Sequence, residues 1–168
     1  LRFIGVLATG YDVIDVEAAR RLGIVVANVP GYGPDSVAQM VFGHILNFTN
    51  NVAEHSRDVS RGGWSETDDY CYWLTPQVEL KDKILGVIGY GEIGRATVRI
   101  GKAFGMKILI HTRTVPENLP ANIRHVDLDE LLTASDFISL HCPLTDKTHT
   151  LINAEKISLM KNSAILIN

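Results

Sequence analysis

Short apolar runs alternate with amphipathic segments along the second half of the chain. Continuous apolar runs predict strands at residues 84–89, 107–111, 123–126 (the weakest), 136–141 and 164–167. Helical spacing between these runs predicts helices at residues 92–104, 127–134 and 153–160. Strands that alternate with helices form a parallel sheet through right-handed crossovers, and continuously apolar strands suit a sheet that is covered on both faces. The pattern therefore predicts an α/β fold with a doubly wound parallel sheet.

The first part of the chain has a shorter version of the same pattern. Residues 3–8 predict a buried strand, a short helix follows from Asp15 to Gly23, and residues 24–28 predict a second strand. The next segment, NVPGYGPDS, concentrates proline and glycine and predicts a loop at a domain boundary.

Helical spacing continues from Pro34 to about Arg61 and predicts one long helix. Its apolar or bulky positions recur every three or four residues, at Val37, Val41, His44, Phe48, Val52, His55 and Val59. A helix of this length extends beyond one small domain, so we expect a homodimer that forms through residues 34–61. A long core helix with no part in assembly is the alternative.

Composition excludes several classes of partner. The chain has 168 residues with a net charge of −3, so no basic excess favours nucleic acid or an anionic membrane. No apolar run approaches the roughly 20 residues of a membrane span. The two cysteines, Cys71 and Cys142, favour reduced thiols and a cytoplasmic location, and the histidines lack the spacing of metal ligands. The chain lacks an initiating Met and has apolar runs at both ends, so we expect it to be part of a longer protein.

The segment VIGYGEIG, residues 87–94, has the glycine spacing of a dinucleotide-binding turn. Gly89 would allow a tight turn, Gly91 would let a pyrophosphate approach the backbone, and Gly94 would let helix and strand pack closely. The following helix has a predicted inner face of Ile93, Ala96, Thr97, Ile100 and Phe104. No Gly-Lys-Ser/Thr follows, which excludes a Walker-type loop. The turn therefore predicts a site for NAD(P), and a glycine-rich turn that binds nothing is the alternative.

The end of the second strand predicts which dinucleotide is bound. An NAD site commonly has a carboxylate about 20 residues beyond the glycines, where it holds the 2′-hydroxyl of the ribose. Thr112 stands there instead, and Arg113 follows. A neutral residue beside a guanidinium can accept a 2′-phosphate through charge-assisted hydrogen bonds, so we expect NADP to be favoured over NAD. A solvated Arg113 with NAD bound through weaker contacts is the alternative.

Several longer motifs, in order along the chain, resemble one enzyme family. They are LATGYDVIDVEAARRLGIVVANVPGY, SVAQ, GVIGYGEIGRA, AFGMKILIHTR, DLDELLTASDFISLHCPLTDKTHTLIN and MKNSAILIN. Together they resemble the D-isomer-specific 2-hydroxyacid dehydrogenases, and most of all their glycerate dehydrogenase/hydroxypyruvate reductase branch. The resemblance implies that residues 1–32 end the first part of a flavodoxin-like substrate domain. It implies that residues 33–168 form a Rossmann-type nucleotide domain that is incomplete at its C-terminus.

The resemblance also implies roles for individual residues. Thr9 and Gly10, in ATGYD, match the loop that meets the substrate carboxylate and the nicotinamide end of the cofactor. Glu92 and Ile93 match the pair that contacts the phosphates.

In the second half of the chain, Thr112 and Arg113 match the position that discriminates between riboses. Cys142, Pro143 and Thr148 match the loop that passes under the adenosine and phosphates, with the cysteine contributing backbone and packing. The family's catalytic Arg, Glu and His match no position up to Asn168, so we assign no catalytic residue and expect this chain to be inactive by itself.

The implied activity is reduction of a small 2-keto acid such as hydroxypyruvate or glyoxylate, with hydride from NAD(P)H. One alternative is a dinucleotide-sensing protein of the same fold, similar to the family's transcriptional corepressors, and a weaker one is a related enzyme that acts on formate. The aromatic loop at residues 64–73 either covers a cleft, docks on a partner or packs on its own domain.

Overall fold

The computed structural model describes residues 1–168 and contains two parallel sheets. The first sheet pairs β1 (Phe3–Gly5) with β2 (Val25–Ala27), and α1 (Val16–Arg21) connects the two strands. Asp15 caps α1 by accepting a hydrogen bond from the N–H of Ala18, as its position before the helix predicts. The chain then leaves this sheet through the proline- and glycine-rich loop.

Two helices and a short 3₁₀ turn lead to the larger sheet. They are α2 (Pro34–Asn50), α3 (Val52–Ser60) and the 3₁₀ turn at Gly63–Glu66. The larger sheet and its helices then follow in alternation: β3 (Ile84–Ile88), α4 (Glu92–Ala103), β4 (Lys107–His111), β5 (Ile123–His125), α5 (Leu128–Ala134), β6 (Phe137–Leu140), α6 (Ala154–Ser158) and β7 (Ile165–Ile167). The strands and helices from β3 to β7 were each predicted from the sequence to within two residues at either end.

The larger sheet has five parallel strands in the order β5-β4-β3-β6-β7. The chain proceeds outward from β3 to β4 and β5, then returns to the other side of β3 with β6 and β7. This arrangement confirms the doubly wound fold. The reversal also creates a crevice at the carboxyl ends of β3 and β6, which is where open α/β sheets bind ligands.

The sheet is buried on both faces, as its continuous apolar strands predict. One apolar cluster includes Val87 and Ile110 with residues of α2 and α4, and the other includes Ile88 and Ile138 with residues of α5. Because both faces of the central strands are covered, only their carboxyl and amino ends remain open to a ligand. Every helix of the molecule is too short or too polar to serve as a transmembrane span.

The prediction of one helix over residues 34–61 was wrong. Asn51 has φ 47° and ψ 41°, a left-handed conformation that ends α2 and separates it from α3. The predicted stripe does not form the core face either. The buried residues of α2 are Ala38, Val41, Phe42, Ile45 and Thr49, and they face α4. Only Val41 belongs to both sets, because the period of apolar residues does not distinguish a face covered by α4 from one left open.

Two smaller expectations also differ from the structure. The strand predicted over residues 3–8 is only three residues long and is largely exposed, with Phe3 56% exposed and Leu7 92% exposed. On α4, Ala96 and Thr97 are buried as predicted, but Phe104 is 40% exposed and follows the helix as its C-cap. Phe104 instead stacks on Phe42 of α2, with ring centroids 5.4 Å apart.

Candidate cofactor-binding site

The glycine turn lies at the carboxyl end of β3, beside the crevice. Gly89 has φ +94°, and a Cβ atom there would lie 2.6 Å from the carbonyl carbon of His141 and 2.7 Å from the nitrogen of Cys142. A Cβ on Gly94 would lie 2.1 Å from the carbonyl oxygen of Gly89. Gly89 and Gly94 are therefore required by the protein's own packing.

Gly91 differs from the other two glycines of the turn. Its φ is −78°, which any residue can adopt, and no atom lies within 4 Å of the position of an added Cβ. The protein itself therefore does not require glycine at this position. An open approach to the backbone is what a pyrophosphate needs.

The N-terminus of α4 begins at this open position. Gly91 is the N-cap, and no side chain caps the helix. The first N–H groups of an α-helix have no partner within the helix and carry the positive end of its dipole. Glu92 is exposed and Ile93 is half-buried in this first turn, so their backbone N–H groups are suited to bind an anion.

Thr112 and Arg113 follow β4, the strand next to β3. The carbonyl of Thr112 accepts a hydrogen bond from Nε2 of His125, with 3.3 Å between the two atoms. His125 stacks on His111, with ring centroids 6.3 Å apart, and Nδ1 of His111 lies 3.2 Å from the carbonyl oxygen of Val126. The side chain of Arg113 is exposed beside this anchored turn.

Cys142, Pro143 and Thr148 lie in the loop that follows β6 on the other side of β3. Thr148 closes this loop, because its hydroxyl donates to the carbonyl of Pro143 and accepts from the N–H of Thr145 at 2.8 Å. Cys142 is a half-buried free thiol that packs against the apolar cluster under α5. The loops after β3, β4 and β6 therefore lie side by side at one edge of the sheet.

His141 is a residue of this edge to which the sequence analysis gave no role. Its backbone N–H donates to the carbonyl of Ile88 at 2.7 Å. Its Nε2 lies 2.9 Å from the hydroxyl of Ser139 and 3.1 Å from the hydroxyl of Thr97. Burial lowers the pKa of His141, so the ring is neutral at neutral pH. The available signal was Ser139 two residues earlier, since residues i and i+2 of a strand share a face.

Thr9 and Gly10 lie elsewhere, on the exposed loop that follows β1. The hydroxyl of Thr9 donates to the carbonyl of Val29 at 3.1 Å, and the side-chain amide of Asn28 donates to the carbonyl of Thr9 at 2.8 Å. These hydrogen bonds join the loops after β1 and β2, and they do not involve the glycine turn. The smaller sheet therefore has its own set of loops at its carboxyl edge.

The chemistry of the larger edge suits a dinucleotide. It combines an open backbone position and an uncapped helix N-terminus at the reversal of strand order with an exposed guanidinium after the neighbouring strand β4. No three or more side chains of His, Cys, Asp and Glu lie together in a way that could hold a metal ion.

Comparison with known proteins gives a consistent set of relatives. Residues 42–168 match the model of the D-isomer specific 2-hydroxyacid dehydrogenase NAD-binding domain. A hydroxypyruvate reductase from Blautia hydrogenotrophica is 46% identical over 169 residues, which cover 100% of this chain and 52% of the relative. A glycerate dehydrogenase from Methylorubrum extorquens is 38% identical over 168 residues, with 100% and 52% covered.

Solved structures resemble the fold as well as the sequence. A D-lactate dehydrogenase from Aquifex aeolicus, in complex with NAD and lactic acid, superposes with a TM-score of 0.83 at 38% identity. The similarity covers 100% of this chain and 49% of that structure's chain. The chain thus spans about half the length of the relatives it matches. On the family model and these relatives together, the chain belongs to the D-isomer specific 2-hydroxyacid dehydrogenase family and contains its NAD-binding domain.

Proposed function

We propose that the protein carrying this chain is an NAD(P)-dependent D-2-hydroxyacid dehydrogenase that reduces a small 2-keto acid. Hydroxypyruvate and glyoxylate are the preferred substrates in this proposal, because the relatives include a hydroxypyruvate reductase and a glycerate dehydrogenase. The observation that carries the proposal is the glycine turn, in which Gly89 and Gly94 are held by internal packing while Gly91 is left open.

The residues of the larger sheet hold the cofactor in this proposal. The backbone N–H groups of Glu92 and Ile93 bind the pyrophosphate at the start of α4, and Gly91 leaves room for it. The loop with Cys142, Pro143 and Thr148 supports the adenosine side from the neighbouring strand. The nicotinamide ring of a bound cofactor supplies the hydride, and the protein supplies orientation and charge.

Thr9 and Gly10 belong to the substrate side of the proposed site. Both are exposed and lie on the loop at the carboxyl edge of the smaller sheet. We place the boundary between the end of the substrate domain, residues 1–32, and the nucleotide domain, residues 33–168, in the loop that joins the two sheets.

NADP is the preferred cofactor in this proposal, because Thr112 places no carboxylate against a 2′-phosphate and Arg113 offers an unshielded guanidinium. The hydrogen bond from His125 to the Thr112 carbonyl supports a fixed backbone at this turn. The two free thiols favour a reducing compartment such as the cytoplasm.

A homodimer that forms through residues 34–61 is also part of the proposal. The support now comes from the outward face of α2 and the start of α3, where Val37, Met40, Phe48 and Val52 are all exposed. Large contiguous apolar surfaces on a folded protein commonly mark an interface.

The glycine turn provides a sharp test through Gly91→Ala. The added methyl has no neighbour within 4 Å in the protein itself, so the fold is expected to be unchanged. The methyl occupies the approach of the pyrophosphate, so we expect affinity for NADPH and NADH to fall at least about tenfold, which corresponds to about 1.4 kcal/mol. Titration by the fluorescence of the reduced cofactor measures this change.

The matched control is Gly33→Ala. Gly33 is likewise the N-cap of a helix, has a negative φ of −94°, and has no atom within 4 Å of an added Cβ. We expect this variant to bind dinucleotide as the unmodified protein does. If Gly91→Ala and Gly33→Ala bound dinucleotide equally well, the glycine turn would not be the binding site. Binding without turnover of hydroxypyruvate or glyoxylate in the unmodified full-length protein would favour a dinucleotide-sensing protein instead of an enzyme.

A further inference from the structure

His141 lies at a junction between the two loops that flank the crevice. Its backbone N–H extends the ladder between β6 and β3 by bonding to the carbonyl of Ile88. Its carbonyl carbon and the next nitrogen approach Gly89 so closely that a methyl group there would overlap them. A shift of His141 therefore moves the glycine turn and the start of the Cys142–Thr148 loop together.

The side chain of His141 connects this junction to α4. Nε2 lies 3.1 Å from Oγ1 of Thr97, and that hydroxyl lies 3.0 Å from the carbonyl oxygen of Ile93. A carbonyl only accepts hydrogen bonds, so the single proton of Thr97 points to Ile93. When Nε2 carries the proton of the neutral ring, it donates to the hydroxyl of Thr97, and the hydroxyl of Ser139 lies 2.9 Å from the same nitrogen.

Burial makes this network costly to break. Thr97 and Ser139 are both fully buried, so neither hydroxyl can replace its hydrogen bond to His141 with one to water. A buried polar group without a partner is destabilising, which keeps the three side chains together. Ile93, at the other end of the network, lies in the first turn of α4, whose N–H groups face the crevice.

Ordinary backbone packing does not explain why this position carries an imidazole. The preceding positions of β6 on the same face as His141 are Phe137 and Ser139, both buried, and the adjacent Cys142 packs toward the opposite face, under α5. An apolar ring at position 141 would leave the hydroxyls of Thr97 and Ser139 without Nε2. The network runs from the end of β6 to the first turn of α4, between two segments that hold the cofactor in the proposed function.

We propose that His141 is a positioning residue for the cofactor: through Thr97 and Ser139 it holds the first turn of α4 in register with the Cys142–Thr148 loop, so that both contact one dinucleotide. This inference rests on the proposed function, since it concerns the same site. His141 itself acts through Thr97 and the backbone and transfers no proton to the substrate.

Substitutions of His141 separate its hydrogen bond from its shape. His141→Gln places an amide N–H near the position of Nε2, whereas His141→Asn places its amide near Nδ1, short of Thr97 and Ser139. His141→Phe keeps a ring and loses every polar contact. In the intact protein we expect Phe and Asn to raise the dissociation constant of NADPH about tenfold, and Gln to stay within about threefold.

Thr97→Val supplies an independent route to the same answer, because it removes the hydroxyl and keeps the shape. Thr97→Val should weaken NADPH binding several-fold. Combining it with His141→Phe should weaken binding little further, as expected for two members of one network. The Michaelis constant for the cofactor should rise in these variants while that for hydroxypyruvate stays unchanged. A general loss of folded structure would not raise the Michaelis constant for the cofactor alone, and His141→Gln would not reverse it.

The outcomes are distinguishable. Failure of the unmodified protein to bind any dinucleotide would overturn the proposed function and this inference with it. Normal binding by the unmodified protein, together with normal binding by His141→Phe and Thr97→Val, would overturn the inference alone. Equal losses of NADPH affinity in His141→Gln and His141→Phe would also overturn the inference. The imidazole ring, and not the hydrogen bonds of its Nε2, would then be what matters.

Discussion

At the scale of single residues, the three glycines of the turn have unequal physical roles. Gly89 and Gly94 are required by contacts inside the protein, whereas Gly91 faces open space. The motif predicts these separate roles, and the close contacts at Gly89 and Gly94 and the open space at Gly91 agree with them. A substitution at Gly89 or Gly94 is therefore expected to disturb the fold, whereas a substitution at Gly91 is expected to affect only cofactor binding.

Arg113 is the residue that separates the two cofactors in our proposal. Its exposed guanidinium is expected to bind the 2′-phosphate through charge-assisted hydrogen bonds, which NADH cannot form. Arg113→Ala should therefore weaken the binding of NADPH by about 1.5–3 kcal/mol and leave the binding of NADH nearly unchanged. Paired titrations with both cofactors measure the difference.

Two results would contradict this assignment. Equal affinities of the unmodified protein for NADPH and NADH would refute the preference, and tighter binding of NADH would point to a hydroxyl-binding role for Thr112. Arg124→Ala is the control, because Arg124 is similarly exposed but already pairs with Glu130 at 2.8 Å.

At the scale of elements, Asp136 joins three strands at the amino edge of the sheet. Its carboxylate accepts hydrogen bonds at 2.8 Å from the N–H of Ile84 in β3 and from the ammonium of Lys161. Its own backbone bonds to β3 and to Ile165 at the start of β7. At this edge, opposite the proposed cofactor site, Asp136 therefore links β3, β6 and β7 through its carboxylate and its backbone together.

Asp136→Ala should lower the free energy of unfolding by about 1–3 kcal/mol, because the N–H of Ile84 loses its partner. Burial opposes ionisation of Asp136, but the hydrogen bonds from Ile84 and Lys161 outweigh it, so the pKa is lowered. A lowered folded-state pKa contributes stability above the ordinary pKa of an aspartate, and this contribution is lost as the pH falls through the folded value. Urea unfolding at neutral pH and at about pH 3 should thus show a smaller effect of the substitution in acid.

The exposed ion pair of Arg124 and Glu130 again supplies the comparison, since removing it should cost less than about 1 kcal/mol. An Asp136→Ala variant as stable as the Arg124→Ala variant would show that the carboxylate does not hold the strands.

At the scale of the whole molecule, the outward face of α2 and the start of α3 remain without a covering element. Phe48 is 60% exposed and Val52 is 68% exposed, and the segment 72–78 runs beside them, bonded to the helices through Tyr72, Leu74, Thr75, Gln77 and Val78. Within the aromatic loop at residues 64–73, the hydroxyl of Tyr72 donates to the carboxylate of Asp58 in α3 at 2.8 Å, while Tyr70 and Trp73 remain exposed.

We expect the intact protein to have twice its monomer mass in light scattering, with Phe48→Asp and Val52→Asp reducing it to the monomer. Both side chains are exposed within one chain, so these substitutions should leave the monomer folded. Val115→Asp, at an exposed position in the loop after β4, should leave the mass unchanged. A monomer at micromolar concentration in the unmodified protein would contradict the dimer.

The sequence by itself determined the order of the elements of the larger sheet and the place of the glycine turn. Continuous apolar runs such as ILGVIG leave little choice but a strand covered on both faces, and the glycine spacing between strand and helix follows from local sterics. Local rules therefore sufficed for the elements of the larger sheet, for the parallel direction of its strands and for the edge where Gly89, Thr112 and Cys142 lie.

Only the tertiary structure decided which faces are buried and which side chains meet. The left-handed Asn51 ends a helix whose apolar spacing continues past it, and α4 covers Ala38 and Phe42 while Phe48 stays exposed. The contact of His141 with Thr97 joins residues 44 positions apart. The physical reason is that periodicity and sterics act over a few residues, whereas burial and hydrogen bonding between distant segments depend on what the fold brings together.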